Sequence, residues 1–269
     1  MRASWTLDDI DWHLFDPSAI ETDTLAAVKS AALVEFNSRD YVEYLDHVFA
    51  DDPATRDEIA QWGVEEQQHG EALGRWAQLA DPDFDFAAAI ARFREGYRIH
   101  PDAVASVRGS QSGEMIARCI VECGTSSFYS SLRDGVREPV LRQIADLIAR
   151  DEFHHYRLFH DAYERYAPRD RLGLIKRLRI AVGRIAEADD DELAFAHWSA
   201  NVAPTGRAYD RAECFRAQQR LALRHYRRDH VRRAVHMISR AVGLKPTGAL
   251  ARVAGHLTWH LMRRRGAPA

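Results

Sequence analysis

Two segments of the chain repeat one pattern, an acidic pair followed by a histidine three residues after the second acid. The segments are GVEEQQHGEAL (63–73) and ARDEFHHYRLF (149–159). Stepping by three or four residues places each Glu-His pair inside an apolar stripe of helical period. The stripes read Ile59, Trp62, Glu66, His69, Leu73 and Trp76 in one segment, and Ile144, Ile148, Glu152, His155, Phe159, Ala162 and Tyr166 in the other. The pattern therefore predicts two helices that each carry a Glu-His pair into the core.

A lone glutamate precedes each pair at nearly the same distance. Glu35 lies 31 residues before Glu66, and Glu122 lies 30 residues before Glu152. That distance fits one helix, a turn and the return helix, so each lone glutamate can face its pair. The stripes around them read Val28, Ala31, Glu35, Val42, Leu45 and Phe49, and Met115, Cys119, Glu122, Thr125, Tyr129 and Leu132.

Four carboxylates and two imidazoles in one core need counter-charges, because an unpaired buried ion costs several kcal/mol. Two divalent metal ions would neutralise the carboxylates, and this donor set suits iron or manganese. Helical dimetal carboxylate proteins use one glutamate from each of two helices and Glu-x-x-His from each of two others. We therefore predict a dinuclear site with one or two bridging carboxylates. Its ligands would be Glu35, Glu66 and His69 on one side, and Glu122, Glu152 and His155 on the other.

The residues next to these ligands receive plainer interpretations. Glu65, Glu71 and Asp151 lie outside the apolar stripes and are interpreted as surface charges. Asp151 has an alternative interpretation, in which it forms a hydrogen bond to a metal ligand and orients it. His154 is interpreted as a residue on the flank of its helix. Cys119 and Cys123 are interpreted as small core residues.

Helical periodicity extends over most of the 269 residues, and almost nothing alternates like a strand. Helices are predicted at about 23–50, 53–79, 113–133, 139–166, 169–188, 208–243 and 247–265, with a short piece in 86–97. The prediction is an all-α chain with an N-terminal segment 1–22, a dimetal helix bundle 23–167 and a C-terminal helical region 168–269. No apolar window is long enough to cross a membrane, and the acidic start lacks a signal sequence, which predicts a cytoplasmic protein.

The motifs resemble those of a known family, the soluble acyl-[acyl-carrier-protein] desaturases of the ferritin-like di-iron carboxylate superfamily. EEQQHG (65–70) looks like their first Glu-Glu-x-x-His-Gly motif, and DEFHH (151–155) resembles their second motif. ECGT (122–125) is similar to the segment in which that family places a threonine one turn after the third-helix glutamate. The resemblance covers about residues 25–166.

The resemblance implies a ferritin-like four-helix bundle with additional C-terminal helices. Glu35, Glu66, His69, Glu122, Glu152 and His155 would be iron ligands, and Thr125 would lie beside the oxygen-binding face. The implied activity is that of an O2-dependent di-iron oxidoreductase of fatty acid metabolism, a desaturase. Its substrate would be an acyl chain on an acyl carrier protein, with electrons from a ferredoxin-type donor. Trp62, Phe128 and Tyr129 could line an acyl channel or be plain core.

Other functions of the same ligand set stay open. Aldehyde-deformylating oxygenases also resemble the chain, in the second motif and in IVEC (120–123). A second hypothesis is a non-catalytic protein that binds iron or scavenges peroxide. A third is a metal-free binding module. The chain length and carbon attacked, the choice of iron or manganese, and the oligomeric state are not determined by the sequence.

The C-terminal quarter of the chain is strongly basic. From residue 206 onward there are 15 lysines and arginines against 3 acidic residues, whereas the rest has 22 against 37. This part could bind an acidic carrier protein or anionic lipid head groups, or pair with the acidic remainder or a second subunit of a homodimer. No motif for reading nucleic acid is present, so nucleic acid is not predicted as a partner.

Overall fold

The computed structural model describes residues 5–97, 105–187 and 191–265, and every regular element in these ranges is helical. The all-α prediction is confirmed. Three short 3-10 turns between Leu7 and Ala19 precede the first helix. The α-helices are α1 (Thr22–Phe36), α2 (Ser38–Val48), α3 (Pro53–Ala80), α4 (Phe86–Gly96), α5 (Gln111–Gly135), α6 (Pro139–Asp170), α7 (Leu174–Glu187), α8 (Asp191–His197), α9 (Arg211–Leu223), α10 (Arg228–Ala241) and α11 (Ala249–Arg265). Among the described residues, no helix has both the length and the apolar composition that a membrane crossing requires.

The two helices that carry the Glu-His pairs begin as the sequence predicts. Asp52 accepts a hydrogen bond from the backbone N–H of Thr55, and Pro53 takes the first position of α3. Glu138 accepts from the backbone of residues 140 and 141, and Pro139 opens α6. Both starts combine a side-chain acceptor with a proline whose missing N–H needs no partner there.

Several predicted helix bounds were wrong, among them the start of α7, which lies at Leu174 and not at 169. The segment 23–50 forms two helices, because the carbonyl of Phe36 and the side chain of Asn37 accept hydrogen bonds from Arg94 where a single helix would continue. Helix α6 does not end at Tyr166 but runs through Pro168 to Asp170, where Arg171 with φ of 47° ends it. The segment 208–243 also forms two helices, separated at 224–227. The short helix α8 and the π-helical turn Trp198–Val202 that follows it were missed.

Two helix pairs, α1 with α3 and α5 with α6, pack most extensively, and α3 also packs on α6. Both pairs are antiparallel, because residues early in one helix contact residues late in the other. The contacts that show this are Lys29–Asp81 and the close approach of Phe36 to Gly70 for the first pair, and Ser112–Asp170 and Arg133–Asp146 for the second.

The interior contains two apolar clusters with a polar layer between them. Along α3, Trp62 belongs to one cluster and Leu73 to the other, with Glu66 and His69 between them. The order along α6 is the same in reverse, as antiparallel packing requires. The members there are Ile144 and Ile148, then Glu152 and His155, then Phe159 and Ala162. The predicted stripes are therefore the core faces of these helices.

The C-terminal helices share this core. Helices α7 and α10 pack on α5, and α8 and α9 pack on α1. Ile180, Ala241 and Val242 belong to the same apolar cluster as Trp62. The division at residue 168 into a bundle and a separate C-terminal region stays a prediction.

Candidate metal centre

All six predicted ligands meet in the polar layer. Glu35 comes from α1, Glu66 and His69 from α3, Glu122 from α5, and Glu152 and His155 from α6. Each is at most 7% exposed, and both histidines are fully buried. Four helices therefore direct buried acids and histidines to one place.

The six residues form two overlapping groups that could each hold a metal ion. One group is Glu35, Glu66, His69 and Glu152, and the other is Glu66, Glu122, Glu152 and His155. Within each group the ligand atoms lie within 4.8 Å of one another. Glu66 and Glu152 belong to both groups, so both ions would share these two carboxylates if each group held one. The structure thus brings each lone glutamate to its own histidine, as the sequence predicts.

The Nδ1 atoms of the two histidines face the carboxylates. His69 Nδ1 lies 3.3 Å from Glu152 Oε1 and 3.8 Å from Glu35 Oε2. His155 Nδ1 lies 3.0 Å from Glu66 Oε1 and 3.9 Å from Glu122 Oε2. Each histidine therefore approaches the shared carboxylate of the opposite helix more closely than the lone glutamate on its own side.

The ligand atoms fit a metal because they lack other partners. Among the described residues, five buried atoms of the site have no hydrogen-bond partner in spite of their short distances. These atoms are Glu66 Oε1, Glu122 Oε1, Glu152 Oε1, His69 Nδ1 and His155 Nδ1. Native proteins rarely leave buried polar atoms unpaired, and a cluster of them calls for an ion or another explanation. Cations between these atoms would satisfy all five.

The pKa values of the carboxyl groups show what the site does without a cation. Burial raises the pKa of Glu66 well above its usual range, and the charges of Glu152 and Glu35 raise it further. Burial and the charges of Glu152 and Glu66 do the same for the pKa of Glu122. Burial also acts to raise the pKa of Glu152, but His155 and His69 beside it outweigh burial and lower the pKa. Protons on Glu66 and Glu122 thus take the place that metal ions would occupy.

Both histidines also hold protons, because the carboxylates beside them outweigh the effect of burial on their pKa values. Burial acts to lower the pKa of His69, but Asp151, Glu152 and Glu35 raise it well above the usual range. Burial opposes protonation of His155 as well, yet Glu152 and Glu65 raise its pKa to about 10. Metal ligands must be deprotonated to bind, so an ion entering this site would release protons.

The second nitrogen of each histidine pairs with an acid from the opposite motif. His69 Nε2 on α3 lies 3.2 Å from Asp151 Oδ2 on α6, and His155 Nε2 on α6 lies 2.8 Å from Glu65 Oε2 on α3. Each of these acids directly precedes a glutamate that belongs to both groups. A carboxylate on the outer nitrogen holds the ring's tautomer and orientation and makes the inner nitrogen a stronger ligand. An acid of each motif therefore orients the histidine of the other motif.

This crossing overturns the interpretation of Glu65 as a surface charge. Its side chain is 19% exposed, and it binds His155. Burial acts to raise its pKa, but the hydrogen bonds of His155 and Gln61 outweigh burial and hold it below the usual range. Asp151 is buried and supports His69, which was the alternative considered for it. The doubled acid in each motif was the signal for this role.

Trp5 is a site residue that the sequence did not indicate. Its indole N–H donates to Asp151 Oδ2 at 2.6 Å, and its ring lies parallel to that of His69 with 6.0 Å between centroids. Trp5 is separated from Asp151 by 146 residues, so no local pattern joins them. The N-terminal segment thus closes the site on the His69 side.

Two residues of α5 contact ligand carboxylates. The Thr125 hydroxyl donates to Glu152 Oε2 at 2.5 Å, and the Tyr129 hydroxyl donates to Glu35 Oε1 at 2.6 Å. Thr125 is partly exposed and Tyr129 is buried. Burial and the charge of Glu35 raise the pKa of Tyr129 well above its usual range, so its hydroxyl stays a donor. Thr125 therefore reaches the site through Glu152, which belongs to both groups.

The other neighbours match their plainer interpretations. Glu71 and His154 are exposed, and Cys119 and Cys123 are buried on α5 outside both ligand groups. Burial raises the pKa of Cys123 to about 12, which keeps the thiol protonated. Trp62 is buried in the core and Phe128 is half-buried.

Comparison with known proteins adds no assignment. No protein-family model matches the sequence, and no curated protein matches it at a significant level. What the chain can do is therefore argued from the residues of the site.

Proposed function

We propose that this protein is a ferritin-like di-iron carboxylate oxidase that uses O2 to oxidise an acyl chain, in the manner of the acyl-[acyl-carrier-protein] desaturases. One observation carries the proposal. Two ligand groups share Glu66 and Glu152, and each is completed by one histidine and one lone glutamate. Paired ions held by shared carboxylates suit reactions in which two metals act together on one small molecule. The proposal that the fold is ferritin-like is supported by this site and by the motif resemblance.

Iron bound at this site would supply the redox chemistry that couples O2 reduction to removal of hydrogen from the substrate. Desaturation takes two hydrogens from neighbouring carbons, and a ferredoxin-type donor supplies the two further electrons that reduce O2 to water. Manganese is accepted by the same donors, so the metal itself is part of the proposal.

The chain's own residues would prepare the site for this chemistry. Asp151 and Glu65 orient the two imidazoles, and Thr125 orients the bridging carboxylate of Glu152. The apolar clusters above and below the polar layer exclude water, which strengthens electrostatic interactions and limits side reactions. An acyl chain is the substrate proposed because the motifs resemble enzymes that act on one.

The test is intact mass spectrometry of acyl-carrier-protein substrates of different chain lengths. They are incubated with iron-loaded protein, O2 and a ferredoxin reductase system. Loss of two hydrogens from one substrate is the expected result. A gain of one oxygen would identify a hydroxylase, and conversion of an aldehyde alone would identify a deformylating oxygenase. Oxidation of the iron with no organic product would overturn the oxidase proposal in favour of iron binding or peroxide scavenging.

The matched variants are Glu152→Ala and Glu71→Ala. Glu152→Ala removes a carboxylate from both ligand groups, whereas Glu71 is exposed and belongs to neither. Product formation should be lost in the first variant and retained in the second. A Thr125→Val variant should turn over more slowly with unchanged iron content, and Thr125→Ser should restore the rate because it keeps the hydroxyl.

A further inference from the structure

Helix α11 carries apolar side chains on two different faces. One face packs on the rest of the protein through Ala251, Trp259 and Met262, which contact Val231 and Val235 of α10. The other face is the exposed stripe, defined as Leu250, Val253, Leu257 and Leu261. These residues follow one another at intervals of three, four and four, so they lie along one side of the helix.

The exposed stripe is open to solvent along its length. Leu250 is 71% exposed, and Val253, Leu257 and Leu261 are each 57% exposed. At 1.5 Å per residue it extends about 16 Å along the helix. Single exposed leucines are ordinary, but a contiguous apolar row marks a surface that contacts another apolar phase.

The side of α11 next to the exposed stripe is basic. Arg252, His256, His260 and Arg263 follow at intervals of four, four and three, about a third of a turn away. The helix contains no acidic residue. Among the described residues, Arg252 and Arg263 have no carboxylate within ion-pair distance, while Arg224 on α9 is paired with Glu21 and Asp23. The charges of α11 are thus left for something outside the chain.

We propose that α11 lies on anionic lipid surfaces, with the exposed stripe in the acyl boundary and the neighbouring arginines at the head groups. A leucine row beside a basic row is the pattern of helices that lie in the plane of a membrane interface. A second copy of the chain fits less well, because pairing two α11 helices would bring arginines together without acids. Binding of an acidic protein would account for the unpaired arginines but not for the exposed row of leucines. This inference does not depend on the metal site.

The experiment is flotation of the full chain with lipid vesicles. Vesicles of phosphatidylcholine are compared with vesicles in which part of it is replaced by phosphatidylglycerol. The wild-type chain should float with the anionic vesicles, and salt should weaken the binding because the head-group attraction is screened. Equal binding to both vesicle types, or binding to neither, would overturn the proposal.

Two double variants separate the two contributions. Leu257→Gln with Leu261→Gln removes apolar surface that the lipid would bury and should weaken binding to anionic vesicles about ten-fold. Arg252→Gln with Arg263→Gln should weaken it by about ten-fold as well and remove the preference for anionic lipid. All four positions are exposed or unpaired, and helix content by circular dichroism should stay at the wild-type value.

Matched controls lie elsewhere on the surface. Leu14→Gln changes a leucine that is 50% exposed, and Arg137→Gln changes an arginine whose side chain is 77% exposed. Both should float like wild type.

The proposal would be contradicted if variants of the exposed stripe floated like wild type. A fall in native mass without lipid in the leucine variant would also contradict it and would identify the stripe as an interface between two copies. Retained capture of acyl carrier protein by the leucine variant, with no vesicle binding by wild type, would assign the arginines to that partner instead.

Discussion

If the candidate site binds metal as proposed, single side chains should decide how tightly it does so. Asp151→Asn and Glu65→Gln each keep the shape of a side chain that holds a histidine but remove its charge. Replacing such a partner typically costs 10–100-fold in metal affinity, and we expect a loss of about that size in each variant. Competition with a chromophoric chelator would measure it. Glu71→Gln on the exposed side of α3 is the control and should bind like wild type. Equal affinities in all three variants would contradict the crossed arrangement.

The shared carboxylates make a second prediction at the residue scale. Glu152 belongs to both ligand groups, whereas Glu122 belongs to only one. Glu152→Ala should therefore abolish binding of both ions, and Glu122→Ala should reduce the content from about two ions per chain to about one. Elemental analysis after dialysis against limiting free metal would distinguish the two. Two ions retained in Glu152→Ala would rule out this ligand assignment.

Close packing of two helices sets the position of Glu35. A Cβ added to Gly70 of α3 would lie 2.5 Å from the backbone nitrogen of Phe36, next to Glu35 on α1. Backbone atoms cannot move aside as a flexible side chain can, so Gly70→Ala should push α1 away from α3. We expect it to lower the free energy of unfolding by about 2 kcal/mol, which is within the usual range for overpacking. Urea denaturation would measure the loss.

Gly124 provides the control for this element-scale prediction. It lies within α5, is exposed, and has no atom within 4 Å of an added Cβ. Gly124→Ala should raise the free energy of unfolding by about 0.5–1 kcal/mol, because alanine is the better helix former. If both variants shifted stability in the same direction, close contact with Phe36 would not be the cause in Gly70→Ala.

At the scale of the whole molecule, metal binding and folding are coupled to pH. Without metal, the folded chain binds more protons than the unfolded chain, because the pKa values of Glu66, Glu122, His69 and His155 are all raised. Stability of the metal-free protein should therefore fall as pH rises from 4.5, the ordinary glutamate pKa, through about 10, the pKa of His155. Metal-loaded protein has already released these protons and should not show this loss.

Thermal unfolding with chelator and with iron under anaerobic conditions would test the coupling. The increase in melting temperature that iron produces should grow as pH rises within that window. The Glu152→Ala variant should show no iron-dependent increase at any pH. A stabilisation that shrinks with rising pH would mean that protons are not what the metal displaces.

Most of the helices, and the buried positions of the candidate ligands on them, followed from the sequence because both depend on local spacing. A Glu-x-x-His interval places two side chains on one face of any helix, and the apolar residues around Glu66 and Glu152 identify that face as the buried one. The doubled acids were visible too, but which partner each would take was not. Glu65 and Glu66 point about a third of a turn apart on their helix. Glu65 therefore has a role only where a second helix brings His155 next to it.

Tertiary structure decided the contacts that join distant segments. The sharing of Glu66 and Glu152 by both groups depends on how closely α3 and α6 approach, and the Trp5–Asp151 hydrogen bond closes a loop of 146 residues. The break at Asn37 has the same origin, because Arg94 takes the carbonyl of Phe36 across 58 residues. The periodicity of apolar residues indicates which face of a helix is buried. The contacts between distant segments depend on how whole helices pack against one another, and the spacing of residues along the chain carries no information about that packing.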